Sequence, residues 1–173
     1  MSTPLSRPPS EVRVLGDKFQ KALADNPTVP RPRFLMQRRT SVYANADDWK
    51  VPVEASITYA RRFENLFKNI GTVTNGFPNP VDIGAVANRD EYNEENIRRN
   101  FLFGTPDEVI QKLKLYEEVG VDVFSYGASF GLDWKASVRS LELFIERVMP
   151  AFAEKELLDR DATPVPQRTQ ARA

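Results

Sequence analysis

The chain has 173 residues, 41% hydrophobic and 28% charged, and its 24 Lys and Arg balance its 24 Asp and Glu. That length suits one ordinary domain, and the even charge leaves no field that would draw nucleic acid or an anionic membrane. Cysteine and histidine are both absent, which excludes disulfides, thiolate or imidazole metal sites, cysteine nucleophiles and Ser-His-Asp catalysis. Chemistry is left to carboxylates, Tyr, Lys, Arg or a bound organic cofactor, and no metal site is expected.

In chain order, residues 1–9 and 159–173 are rich in Pro, Ser, Thr, Gln and charge and read as disordered tails around one domain over 10–158. The start lacks the apolar core of a secretory signal, and no apolar run is long enough to span a bilayer. A cytoplasmic protein is therefore expected. "SEVRVLGDKFQKALADN" reads as a helix capped by Ser10, with Val12, Leu15, Phe19 and Leu23 at helical spacing. The prolines of "VPRPRF" end it. "RFLMQRRTSVYAN" then reads as a strand, in which the pair Arg38-Arg39 is awkward and suits exposed or paired stems better than an anion site.

"ANADDWKVPVEASITYARRFENLFKNIG" reads as a long helix, capped by Asp47 or Asp48 and closed by Gly71. "TVTNGFPNPVDIG" is a turn-rich loop, of a kind that is more often a plain connection than a lid, and "NRDEYNEENIRRN" is a short, charged, solvated helix. The next helix is signalled most clearly. Thr105 and Glu108 form a capping box, Pro106 takes the first helical position, Val109, Leu113 and Tyr116 line one face, and Gly120 ends it. "VDVFSYGAS" follows almost at once as a strand apolar on both faces, the short link typical of parallel α/β architecture. A last helix, "DWKASVRSLELFIERVMPAF", is capped by Asp133 and stopped by Pro150. The reading is helix-rich α/β with two or three strands.

These residues carry a family resemblance. Gly104-Thr105-Pro106, Glu108-Val109, Gly120-Val121-Asp122, then Ser140-Leu141, Leu143-Phe144 and Val148-Met149-Pro150 stand in the order found at the C-terminal end of the bacterial luciferase-like, flavin-dependent monooxygenases. "RRTSVYANADDWKVPVEA" resembles the strand and helix that precede them. The resemblance covers residues 10–152, the final third or so of a full family member. It implies the C-terminal portion of a (β/α)8 TIM barrel, with "RFLMQRRTSVYA" as the seventh strand and "VDVFSYGAS" as the eighth. Active sites of such barrels lie at the C-terminal ends of the strands. The resemblance thus places Tyr126, Ser129 and Phe130 against the cofactor and Tyr43 and Asn45 against the substrate, and it names no catalytic residue.

The implied cofactor is reduced FMN supplied by a flavin reductase, with F420 as the alternative; the implied reactants are a small organic substrate and oxygen. Two strands cannot close a barrel, so a flavin-dependent oxidoreductase is expected only when the missing strands are supplied, an upstream-half polypeptide being one source, and the isolated chain is expected to be inactive. The other reading is a non-catalytic remnant or interaction module that self-associates through exposed strand faces. Direct parallel pairing of residues 34–43 with 121–128 is the structural expectation that follows from the barrel.

Overall fold

A computed structural model describes residues 2–3 and 8–153; the expectations for the rest of the amino-terminal tail and for residues 159–173 lie outside them. Strand β1 (Ser2–Thr3) precedes helix α1 (Pro9–Ala24). The helix begins at Pro9, with no side-chain cap from Ser10, because a proline at the first position is already set to the helical φ. Val12 and Phe19 are buried on its inner face, and Gly16 lets it approach the end of a later helix. A Cβ there would lie 2.8 Å from the Val119 carbonyl oxygen.

Strand β2 (Leu35–Val42) organises the sheet. It pairs in parallel with β5 (Leu102–Gly104), Thr40 to Val42 facing Leu102 to Gly104, and with β6 (Val123–Gly127), Leu35 to Arg39 facing Val123 to Gly127. β1 adds a short parallel pairing at Leu35 and Met36. Successive peptide groups of a strand face opposite edges. The Phe34 carbonyl accepts from Val123, while the Tyr43 N–H donates to the Gly104 carbonyl, so even-numbered residues bond toward β6 and odd-numbered ones toward β5. β2 is thus the central strand.

The parallel pairing of 34–43 with 121–128 is as expected, but the two segments are not consecutive strands, since β5 lies between them in the chain. β5 lies on the other edge of β2 from β6, so the order β5-β2-β6 differs from the consecutive order that seventh and eighth barrel strands would have. Asp122 fixes the entry to β6. Its carboxylate accepts from the Phe34 N–H at 2.7 Å and is gripped by both terminal nitrogens of Arg31 at 3.0 Å.

After β2 a 3-10 turn (Ala46–Trp49) leads into α2 (Lys50–Lys68). Neither Asp47 nor Asp48 caps α2, and its end is marked by Asn69 at φ 51° rather than by Gly71. Asn tolerates the left-handed region better than other non-glycine residues, so it serves as the stop. The turn-rich loop is a small antiparallel hairpin, β3 (Val73–Thr74) and β4 (Phe77–Pro78), joined by Asn75 and Gly76, both at positive φ. That is the geometry an Asn-Gly hairpin turn requires. Asn65, almost wholly buried, ties α2 to it by donating to the Thr72 and Asn79 carbonyls and accepting from the Gly71 N–H.

Helix α3 (Glu94–Asn100) precedes β5, and α4 (Pro106–Glu118) follows it with the expected capping box of Thr105 and Glu108. Helix α5 (Trp134–Leu143) has the expected Asp133 cap, then widens into a π turn (Phe144–Val148) and tightens at Met149–Phe152. Helices cover both faces of the sheet. Phe34, Met36 and Val42 of β2 pack with Val12, Phe19, Val109, Leu113, Tyr116, Leu143 and Phe144 from α1, α4 and α5 with its π turn. On the opposite face Tyr43 packs with Val53 of α2, Ile97 of α3, and Phe101, Phe103 and Phe130. β6 is half-buried along its length and, among the described residues, pairs with β2 alone. No described helix is long and apolar enough to cross a membrane.

Candidate functional site

The C-terminal ends of β2 and β5 converge on a polar crevice. Tyr43 continues the ladder one residue past β2 through its bond to the Gly104 carbonyl at 3.1 Å, which holds its ring at the strand ends. A cavity of about 270 Å³ opens there, lined by Tyr43, Phe103, Glu108, Lys112, Arg98 and Arg99, with Glu95 at its rim. A neighbouring hollow of about 350 Å³ shares Glu95 and Arg98 and adds Trp49, Asn93 and Glu94. The Arg98 guanidinium lies 4.4 Å over the Trp49 ring, a cation–π contact joining α3 to the turn before α2.

Two groups in this crevice are strongly perturbed. Burial, reinforced by the charges of Glu108 and Asp48 and opposed by Arg98, pushes the Tyr43 phenol up to about 12. It is a neutral hydrogen-bond donor at physiological pH. Burial also lowers the Lys112 ammonium to about 8, with Arg98 acting the same way and Glu108 against it. Its Nζ donates to the carbonyls of Arg98 (2.6 Å), Phe101 (3.2 Å) and Phe103 (2.8 Å). Those acceptors match its three donors, so Lys112 acts as a clamp of α4 on α3 and β5 rather than as a nucleophile. Glu108 and Lys112 stand four apart on α4 in the order that favours an ion pair, but nothing local indicates that Lys112 reaches three carbonyls.

The residues named from the sequence divide into two sets. Tyr43 and Phe130 meet in the same aromatic cluster, with the Phe103 and Phe130 ring centroids 5.2 Å apart. Asn45 is exposed beside them, its side-chain amide 3.4 Å from the Asp48 carboxylate. Ser129 is exposed in the loop after β6. Tyr126 points the other way, toward α5. Its hydroxyl bonds the Ser140 hydroxyl at 2.6 Å and its ring meets Phe144 edge-on at 5.1 Å. Ser140 also accepts from the Val42 N–H at 2.6 Å, so it fastens α5 to the end of β2.

Of the exposed or paired stems expected for Arg38-Arg39, the structure has covered and partnered ones. Arg38 is fully buried on the helix-covered face, where its guanidinium lies 5.3 Å from the Tyr116 ring centroid. Arg39 is half-buried on the α2 side, 5.0 Å from the Tyr59 ring and 5.2 Å from that of Phe101, and its Nη1 donates to Ser56 Oγ at 2.9 Å. Strand alternation turns adjacent residues to opposite faces, and helices on both faces then cover both side chains.

No group of acidic residues among those described could hold a metal. A flavin requires an extended apolar cleft and donors for its phosphate. The two hollows are lined mainly by charged side chains, Phe130 has no exposed surface, and the Tyr126 hydroxyl is engaged by Ser140. The described residues therefore do not make a flavin site by themselves.

No family model matches the chain. It is 32% identical over 161 residues to the oxygenase component of the flavin-dependent trigonelline monooxygenase of Acinetobacter baylyi, an alignment covering 93% of this chain and 45% of that protein. The chain thus spans less than half the length of the curated relative it matches, though more than the third the sequence resemblance implied. In structure it is similar to an F420-dependent secondary alcohol dehydrogenase in complex with an F420-acetone adduct, with a TM-score of 0.55, 19% identity, and coverage of 85% of this chain and 41% of that one. The fold is a helix-rich α/β arrangement with a parallel sheet that matches part of a luciferase-like barrel. This similarity to a flavin-dependent monooxygenase component agrees with the resemblance read from the sequence, and the chain corresponds to only part of that relative.

Proposed function

We propose that this chain is one portion of a luciferase-like, flavin-dependent oxidoreductase that oxidises a small organic substrate with reduced flavin and oxygen once the missing barrel strands are supplied. The observation that carries the reading is the 32% identity along 93% of the chain to the oxygenase component of a flavin-dependent monooxygenase. The crevice at the C-terminal ends of β2 and β5 lies where barrels of this kind keep their sites, which supports it. Reduced FMN delivered by a separate reductase is the proposed cofactor, with F420 as the alternative. The flavin supplies the oxygen chemistry, while the protein binds, orients and excludes water.

In that assembly Ser129, at the exposed loop after β6, contacts the cofactor directly, with Tyr126 and Phe130 setting the position of that loop. Tyr43 offers a neutral phenol and Asn45 an amide to the substrate. The protein works in the cytoplasm. The test is to titrate reduced FMN into the purified chain alone and then together with a polypeptide carrying the upstream strands. Flavin binding and substrate-dependent oxygen uptake are expected only in the second case, and failure of the pair to bind either FMN or F420 refutes the reading.

A second reading has its own observation. Phe67, Phe77 and Trp134 are each at least three-quarters exposed, and β6 has one strand partner among the described residues. Such surfaces favour self-association of a non-catalytic module. Sedimentation equilibrium distinguishes the two: concentration-dependent dimers that persist after the upstream polypeptide is added support the module.

A further inference from the structure

We propose that Arg39 is an anion-recognition residue, whose open guanidinium edge takes the carboxylate of a small ligand on the α2 side of the sheet. Arg39 is a cation without a counter-ion. Its guanidinium donates to Ser56 Oγ, and it forms no ion pair among the described residues. Burial lowers its pKa, and no carboxylate is among the groups that oppose that shift. The Tyr59 and Phe101 rings offset part of the cost of burying it. They accept through their faces, however, and leave in-plane N–H groups unused. None of its nitrogen atoms is sealed from solvent without a partner, so those donors are reachable from outside.

The surroundings suit an anion of one charge. Residues paired across parallel strands turn the same way, so Gln37 and its partner Ser125 lie on the face that carries Arg39. Gln37 is exposed and Ser125 half-buried, and the residue opposite Arg39 is Gly127, which contributes no side chain. An amide and a hydroxyl thus share a sheet face with one guanidinium fork, and such a fork receives a planar carboxylate two bonds at a time. A phosphate dianion is matched less well, since no second cation contacts this group.

The inference does not use the flavin reading, and its test contains no flavin, so the two fail separately. The full chain is titrated by calorimetry with benzoate, benzamide and inorganic phosphate, and benzoate contacts are followed by NMR at the Arg39 side-chain N–H. Benzoate is expected to bind saturably and to shift the Arg39 resonance, with benzamide and phosphate much weaker. Arg39→Gln is expected to weaken benzoate by about tenfold or more, the loss of a charge-assisted pair, and Arg39→Lys by less. No saturable benzoate binding overturns the proposal, as do equal binding to Arg39→Gln, benzoate binding that leaves the Arg39 resonance unmoved, or tighter binding of phosphate. If Arg39→Gln does not fold, the Arg39 resonance of the unmodified chain decides the matter.

Discussion

Ser140→Ala removes one oxygen from a residue only 2% exposed, yet that oxygen joins three elements. It accepts the Val42 N–H at 2.6 Å and bonds the Tyr126 hydroxyl at 2.6 Å, linking α5, β2 and β6. Alanine keeps the Cβ and opens almost no cavity, so the loss is one of hydrogen bonds. The buried Val42 amide is left without its partner at about 1–3 kcal/mol, and the half-buried Tyr126 hydroxyl, which can turn toward water, loses about 0.5–1.5 kcal/mol. The sum is roughly 1.5–4.5 kcal/mol, which for a chain of this size lowers Tm by roughly 3–18 °C. Urea unfolding followed by circular dichroism measures it, and a double-mutant cycle with Tyr126→Phe isolates a coupling of about 0.5–1.5 kcal/mol. Burial raises the Tyr126 pKa and the Ser140 bond opposes that rise, so the variant should titrate this phenol still higher in ultraviolet difference spectra. A loss under about 0.5 kcal/mol, within the range of an ordinary surface substitution, refutes the argument that Ser140 fastens α5 to the sheet.

Lys112→Met removes the donor to three carbonyls and should destabilise the chain by about 2–4 kcal/mol near neutral pH. The folded pKa of Lys112, about 8, lies below the ordinary 10.5, so between those values the unfolded chain binds more protons and wild-type stability rises with pH relative to the variant. The slope is at most about 1.4 kcal/mol per pH unit. Tyr43 and Tyr92, both raised to about 12, act oppositely above pH 10 but are common to both proteins and cancel in the difference. A difference that does not change between pH 8 and 10 contradicts the buried position of this ammonium. Asn65→Ala deletes two donated bonds and one accepted bond, so amides of the 71–79 turn and hairpin should exchange with deuterium faster while those of β2 and β6 do not. Unchanged exchange at Gly71 counts against the role given to Asn65.

Much of the local architecture was legible because its causes lie within a few residues of one another. The Thr105 and Glu108 capping box, the Asp133 cap and the Gly120 stop each act over a single turn and appear as expected. The β-branched and aromatic residues that marked 34–43 and 121–128 as strands act through the composition of one segment. Local rules also set limits. β5 was missed because three residues, Leu102–Gly104, are too few to show a period, and they become a strand only because β2 offers an edge beside them. Asn69 replaced Gly71 as the end of α2 because Gly71 is held by Asn65, an interaction spanning the turn.

The amino-acid sequence by itself determined which segments are helices, the two longer strands and the resemblance to a flavin-dependent monooxygenase component, since caps, composition and motif order are all properties of the linear chain. Only the tertiary structure decided that β2 is central, that Tyr126 faces α5, that Lys112 clamps three carbonyls and that Arg38 and Arg39 are covered rather than exposed. Each of those outcomes depends on which distant peptide or side chain arrives alongside. Strand register and helix placement fix that through hydrogen bonds and burial between residues far apart in the chain, where no local pattern carries the information.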